Sequence, residues 1–125
     1  MKSRHRIWVI LLIGITGLCQ AEDKPRVALT FGSPGDGPGQ LKSPIGIAIS
    51  KRAVVYIAEF NNSRVHKFST EGKVLGQFAC VKNASGIAVD VDDQVYVSSM
   101  TAHEVCVYDS GGKELRKIGT KGAGE

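Results

Sequence analysis

The chain has 125 residues, with 16 Lys and Arg against 12 Asp and Glu, a formal charge of +4, and 42% hydrophobic residues. That is the length of one domain, too apolar for a disordered chain, and its 15 glycines lack a collagen period. The positive balance raises a nucleic-acid or acidic-membrane partner, so the position of those charges is the first question.

Three of them lie at the start. Lys2, Arg4, His5 and Arg6 precede an uncharged apolar run from Ile7 to Leu18, then Cys19-Gln20-Ala21 before Glu22-Asp23. A basic stretch, a short apolar run and a small-residue stop predict a cleavable secretory signal over residues 1–21, cut after Ala21. Twelve helical residues reach about 18 Å, short of the ~30 Å hydrocarbon core, so no stable membrane span is expected. Leu18 before Cys19 argues against lipid attachment there. Cleavage leaves 13 basic against 12 acidic groups, a net +1. Export and near-neutrality together argue against a nucleic-acid partner and for a secreted or periplasmic location.

Residues 22–30 form a lead-in. The following Phe31–Gln40 is rich in glycine and proline but lacks the Lys-Ser/Thr pair that opens a helix in a phosphate loop. It reads as a connection between repeat units, because Ile118–Glu125 echoes it.

Gly46-Ile47-Ala48-Ile49 matches Gly86-Ile87-Ala88-Val89 at an offset of 40, and nine of 32 positions from 46–77 recur in 86–117. Among them are the Val-Tyr of Val55-Tyr56-Ile57 and Val95-Tyr96-Val97, the Gly-Lys of Gly72-Lys73 and Gly112-Lys113, and Val65 with Val105. Each unit holds four strand-like runs rich in β-branched and aromatic residues. In the first unit they are Ile45–Ser50, Val54–Glu59, Arg64–Phe68 and Val74–Phe78. In the second they are Ile87–Val91, Gln94–Ser98, Glu104–Tyr108 and Glu114–Ile118. Turn residues such as Asn61-Asn62, Asp92-Asp93 and Gly111-Gly112 separate them. Four short strands in a 40-residue unit predict an all-β chain of antiparallel β-propeller blades, with no helix after the signal.

The segment Phe31-Gly32…Gly39-Gln40-Leu41…Pro44-Ile45-Gly46-Ile47-Ala48-Ile49…Val55-Tyr56-Ile57-Ala58-Glu59…Asn62-Ser63-Arg64-Val65…Phe68 resembles an NHL repeat. That family builds β-propellers, most often six-bladed. The resemblance places a first blade at 31–78, a second at 79–118 and the start of a third at 119–125. The second unit departs from the motif, with Ser99 through Glu104 standing where the acidic, Asn and Arg positions fall.

The repeat-motif residues Glu59, Asn62 and Arg64 read first as structural. Asn suits a left-handed turn, and Arg64 reaches Glu59 across it, a pair worth ~0.2–1 kcal/mol if exposed. A binding loop is the alternative reading. The histidines that remain, His66 and His103, fall at non-equivalent repeat positions. The family resembles the amidating lyases, which gather metal-binding histidines from several blades, and two non-equivalent histidines do not reproduce that set. Asp90-Val91-Asp92-Asp93 lacks the Gly and Glu spacing of an EF-hand and reads as an acidic hairpin turn. No catalytic, metal or cofactor-binding residue is assigned. Cys80 and Cys106 remain a candidate disulfide or two buried thiols. Asn61 and Asn83 head Asn-x-Ser sequons, glycan sites in a eukaryotic secretory pathway and ordinary turn residues in a bacterium.

The expected role is a non-catalytic, exported binding or scaffold surface for a protein or peptide partner, with no cofactor. Two alternatives stay open: part of a lactonase-type or amidating-lyase propeller whose metal ligands lie in other blades, or a cytoplasmic TRIM-type NHL module. Because propellers need about four to eight blades to close, self-assembly to complete a ring is also expected.

Overall fold

The structure is a computed structural model that describes residues 24–122. The expected signal over 1–21 therefore lies outside the described residues. Two short segments, β1 (Ser33–Pro34) and β2 (Gln40–Leu41), pair in parallel and fold the Gly/Pro-rich connection on itself. Two four-stranded sheets follow. The first contains β3 (Pro44–Ile49), β4 (Val54–Glu59), β5 (Arg64–Ser69) and β6 (Val74–Ala79) in that order. The second contains β7 (Ala84–Val89), β8 (Val95–Ser99), β9 (Glu104–Tyr108) and β10 (Glu114–Ile118), again as neighbours in chain order. Every neighbouring pair in both sheets is antiparallel. Among the described residues no helix occurs, and the all-β propeller-blade expectation holds.

The sheets copy one another down to the backbone. Ile57 faces His66 in the first as Val97 faces Cys106 in the second. A register irregularity at Pro44/Gly46 recurs at Ala84/Gly86. Left-handed residues recur at the same offset: Ser43 with Asn83, Ala53 with Asp93, and Ser63 with His103. The turns thus keep one geometry while their side chains differ. Asn and Asp tolerate it, whereas Ala53 at φ 60° carries a Cβ strain that glycine lacks. Ala53→Gly should therefore stabilise the chain by up to about 1 kcal/mol, read as a rise in thermal midpoint.

The seventh strand differs most from its predicted run; the others agree within one residue at each end. The run Ile87–Val91 becomes Ala84–Val89, because Asp90 ends the strand. Its Oδ1 accepts the N–H groups of Asp92 and Gln94, each at 2.9 Å, and holds Val91 in the turn. At the other end the bulge before Gly86 draws Ala84 into the sheet.

The inner strands β3 and β7 lie against each other, so the sheets stack as adjacent blades. Alternation gives each blade two faces. Tyr56, Ala58, Val65 and Phe78 from the first meet Val95, Val97, Cys106 and Tyr108 from the second in the main core. Phe78 and Tyr108 stack with centroids 5.5 Å apart. The Gly46 position lies under Ile87, where a Cβ would stand 3.0 Å from the Ile87 methyl. A smaller cluster of Val55, Ile57 and Phe68 lies on the other face of the first blade, against Phe31 and Leu41.

Candidate functional site

The turn between β4 and β5 brings Glu59, Asn62, Arg64 and His66 to one point. Glu59 and Arg64 are cross-strand partners, and His66 lies two residues further on the same face. Glu59 is fully buried, which for a carboxylate is costly unless every lone pair is met. Five donors meet them. Arg64 Nε reaches Oε1 at 2.6 Å and Nη2 reaches Oε2 at 3.3 Å. Asn62 Nδ2 donates to Oε2 at 2.7 Å, and the Lys42 backbone N–H does so at 2.8 Å. His66 Nδ1 lies 3.2 Å from Oε1. The Gly39 N–H donates to His66 Nε2 at 3.2 Å, which leaves the ring hydrogen on Nδ1, aimed at Glu59.

Arg64 uses the rest of its fork on the Gly/Pro connection. Nη1 donates to the Asp36 carbonyl at 2.6 Å and to Gln77 Oε1 at 3.1 Å; Nη2 donates to the Gln40 carbonyl at 2.7 Å. Five planar donors in fixed directions suit this task, and a lysine would not reproduce it. The cluster is a clamp holding residues 36–42 against the first blade. The ~0.2–1 kcal/mol expected of an exposed Arg64–Glu59 pair does not apply, since side-chain exposure is 11% and 0%.

Burial pushes the Glu59 carboxyl up, but the Arg64, Lys42, Asn62 and His66 donors outweigh it and hold it below its ordinary 4.5. A lowered folded value favours folding while the group is ionised. The clamp's contribution should be full above about pH 4.5 and fall away as acid drives the group through its folded value. Melts recorded from pH 7 to 3 should show a drop that Glu59→Gln flattens.

The second blade keeps the backbone and loses the clamp. Ser99 replaces Glu59; its Oγ donates to the Lys82 carbonyl at 2.7 Å and accepts the Ala102 N–H at 3.1 Å. Glu104 replaces Arg64, and Lys117, in the place of Gln77, donates to it at 3.1 Å. Cys106 takes the place of His66. The departure seen in the sequence is thus a smaller network of reversed charge.

The remaining candidates are spread out. His66 is buried in β5, while His103 is exposed in the β8–β9 turn. Among the described residues no group of three His, Cys, Asp or Glu is gathered to hold a metal ion. Asn61 is exposed and donates to Ser43 Oγ; Asn83 is a half-buried turn residue at φ 55°. Cys80 and Cys106 are free thiols, so the disulfide left open by the sequence is not formed. They line one 280 Å³ cavity with Tyr108 and Lys117. Burial pushes the Cys80 thiol up to about 12, and also raises Cys106. Thiolate is the reactive form, so iodoacetamide at pH 8 should label the native chain far more slowly than the unfolded one.

Two features escaped the sequence reading. His66 is a member of the clamp, and its place two residues beyond Arg64 on the same strand puts it on the Glu59 face. An inter-blade ion pair, Arg52 Nε to Asp93 at 2.9 Å, was hidden in what read as a simple acidic turn.

No family model matches the chain. It is 31% identical over 98 residues to the protein brain tumor of Drosophila melanogaster, covering 71% of this chain and 10% of that protein. It is 39% identical over 44 residues to the E3 ubiquitin-protein ligase TRIM71 of Rattus norvegicus, covering 35% of this chain and 5% of the relative. The chain thus spans about a tenth or less of these curated relatives. Among solved structures, a gluconolactonase of Xanthomonas campestris superposes with a TM-score of 0.55 at 27% identity, covering 72% of this chain and 32% of that one. With the 40-residue register, the four-stranded blades and the Glu59/Asn62/Arg64 motif, these likenesses place the chain among the NHL-repeat β-propellers.

Proposed function

We propose that the chain is an exported propeller segment that binds a protein partner through its inter-strand turns and performs no catalysis of its own. The observation that carries this is the occupancy of the clamp. Glu59, Arg64 and His66, the residues best suited to chemistry, are committed to one another and to residues 36–42. What faces solvent on the same edge is the β8–β9 turn, where the motif lapses and Met100 is 67% exposed. A flexible thioether on a rigid turn is a common contact for protein partners. The likeness to a ubiquitin-protein ligase, an enzyme that acts on proteins, supports the same reading.

A photo-crosslinking residue at Met100, introduced in the producing cell, should give a discrete adduct that the same residue at Lys51 does not. An adduct heavier by a mass that is not a multiple of the exported chain's own mass identifies a partner other than the chain itself. Equal adducts at both positions would overturn the assignment. The likeness to a gluconolactonase supports a second, enzymatic reading. Lactone hydrolysis by the full chain with added divalent cation would establish that reading over ours. Export is tested by sequencing the N-terminus of protein recovered outside the cytoplasm, which should begin at Glu22.

A further inference from the structure

Among the described residues one buried side-chain polar atom has no partner, and it lies at the end of the blades away from the clamp. Asp93, in the β7–β8 turn, is 8% exposed, yet its Oδ1 meets no hydrogen-bond donor. Its Oδ2 stands 2.9 Å from Arg52 Nε across the blade junction. A buried acceptor left unpaired is costly and calls for a reason. The turn itself does not supply one. Asp93 at φ 59° donates its N–H to the Asp90 carbonyl at 3.2 Å, and Ala53, its repeat equivalent at φ 60°, makes the same bond to Ser50 at 3.0 Å without any carboxylate.

Asp93 lines a 210 Å³ cavity between the blades with Arg52, Val54, Tyr56, Lys67 and Leu75. Strand β4 bears the clamp at its last residue, Glu59, and this cavity at its first, Val54. In the second blade the chain fills the corresponding place itself. Arg116 lies 5.7 Å from the centre of the Tyr96 ring, and it donates to the Tyr96 hydroxyl at 3.0 Å and to Gln94 Oε1 at 2.9 Å. That hydroxyl donates in turn to Asp90 Oδ2 at 3.1 Å. At the offset of 40, Tyr56 stands for Tyr96, Gly76 for Arg116 and Ser50 for Asp90. The tyrosine is kept, and the cation beside it is gone. Asp93 brings a carboxylate back from the neighbouring blade: burial first, and then the Asp93 charge, raise the Tyr56 phenol.

We propose that this cavity binds a small zwitterion, a free α-amino acid, with its ammonium on Asp93 Oδ1 and the Tyr56 hydroxyl and its carboxylate on Arg52 and Lys67. The ammonium takes the place that the Arg116 guanidinium holds beside Tyr96. Arg52 meets Asp93 through Nε and is 82% exposed, so its Nη groups serve an anion. Lys67 spends one of its three N–H groups on the Ser110 carbonyl at 2.9 Å. Simpler ligands fit less well. A plain amine would meet two cations, and a plain carboxylate would meet Asp93 and leave Oδ1 unpaired. The cavity is smaller than the ~300–1,000 Å³ of drug-sized sites, so it admits few heavy atoms, and Val54 and Leu75 receive a short apolar side chain. The ligand would touch both blades and tie them together. This goes beyond the binding role of the β8–β9 turn and does not depend on what that turn contacts.

The test is calorimetric titration of the full chain with L-alanine, N-acetyl-L-alanine and L-alaninamide, with a thermal melt in each. L-Alanine should saturate a single site and raise the thermal midpoint, since a ligand held by the native state alone stabilises it. The acetylated compound lacks the ammonium and the amide lacks the carboxylate, so each should bind at least about tenfold more weakly. Asp93→Ala puts at this turn the residue type that the first blade already carries at Ala53, so the variant should fold and lose L-alanine binding. Asp93→Asn keeps the side-chain shape without the charge and should weaken binding by about tenfold or more. Equal binding of L-alaninamide would make this a site for amines, and equal binding of N-acetyl-L-alanine a site for anions. No binding of L-alanine would leave the cavity to water. Each of these results overturns the proposal, as does an L-alanine affinity unchanged in both Asp93 variants.

Discussion

Arg64→Ala should lower the stability of the chain by about 3–5 kcal/mol, the cost of removing one partner from a buried ion pair. The alanine leaves Glu59 buried with its strongest donor gone, and frees the carbonyls of Asp36 and Gln40 from the clamp. At about 4 °C or more per kcal/mol for a domain of this size, the thermal midpoint should fall by roughly 12 °C or more. Arg64→Lys should recover only part of that loss. It keeps a charge beside Glu59 but cannot reach the carboxylate, two carbonyls and Gln77 at once. Circular dichroism melts of the three proteins decide the matter. An unchanged midpoint in Arg64→Ala, with loss of partner capture, would make Arg64 a contact residue and not a clamp.

Tyr108→Ala should cost about 3–5 kcal/mol, the range for deleting a large aromatic from a core. Tyr108 stands at the junction of the blades, stacked on Phe78, and its hydroxyl accepts the Val81 N–H at 2.8 Å. Val81 belongs to the connection between the sheets, so the hydroxyl pins the linker while the ring joins the faces. Tyr108→Phe separates the two roles. It should cost about 1–3 kcal/mol, the penalty for leaving the Val81 N–H without a partner. If Tyr108→Ala proved no worse than Tyr108→Phe, the ring stack would contribute nothing to holding the blades together.

Most of the fold is legible because both of its determinants are periodic. Alternating apolar residues set the strands, and turn residues at fixed offsets set their ends. The match at an offset of 40 then carries the register from one sheet to the other. The boundary of the seventh strand was misplaced because Val91 looks like a strand residue. Its position is decided by the Asp90 side chain binding backbone two and four residues ahead, which hydrophobic pattern does not register.

The clamp was only half legible. Glu59, Asn62 and Arg64 stand out as a motif, but their strength depends on burial beneath residues 36–42, a segment that reads as a connection. His66 shows the same limit. A lone histidine invites a metal, and only the Gly39 and Glu59 contacts, 27 and seven residues distant in sequence, reveal it as a spacer. The packing of Phe31 on Phe68 is hidden because the two are 37 residues apart, outside the 40-residue register.

The central claim is that the described residues form two four-stranded blades stacked through one shared core. Amide hydrogen exchange on the isolated chain tests it most directly. Amides in β4, β5, β8 and β9 should be protected together, and those of Val27–Thr30 should exchange at nearly unprotected rates. Protection confined to one of the two sheets, with the other exchanging freely, would contradict the account.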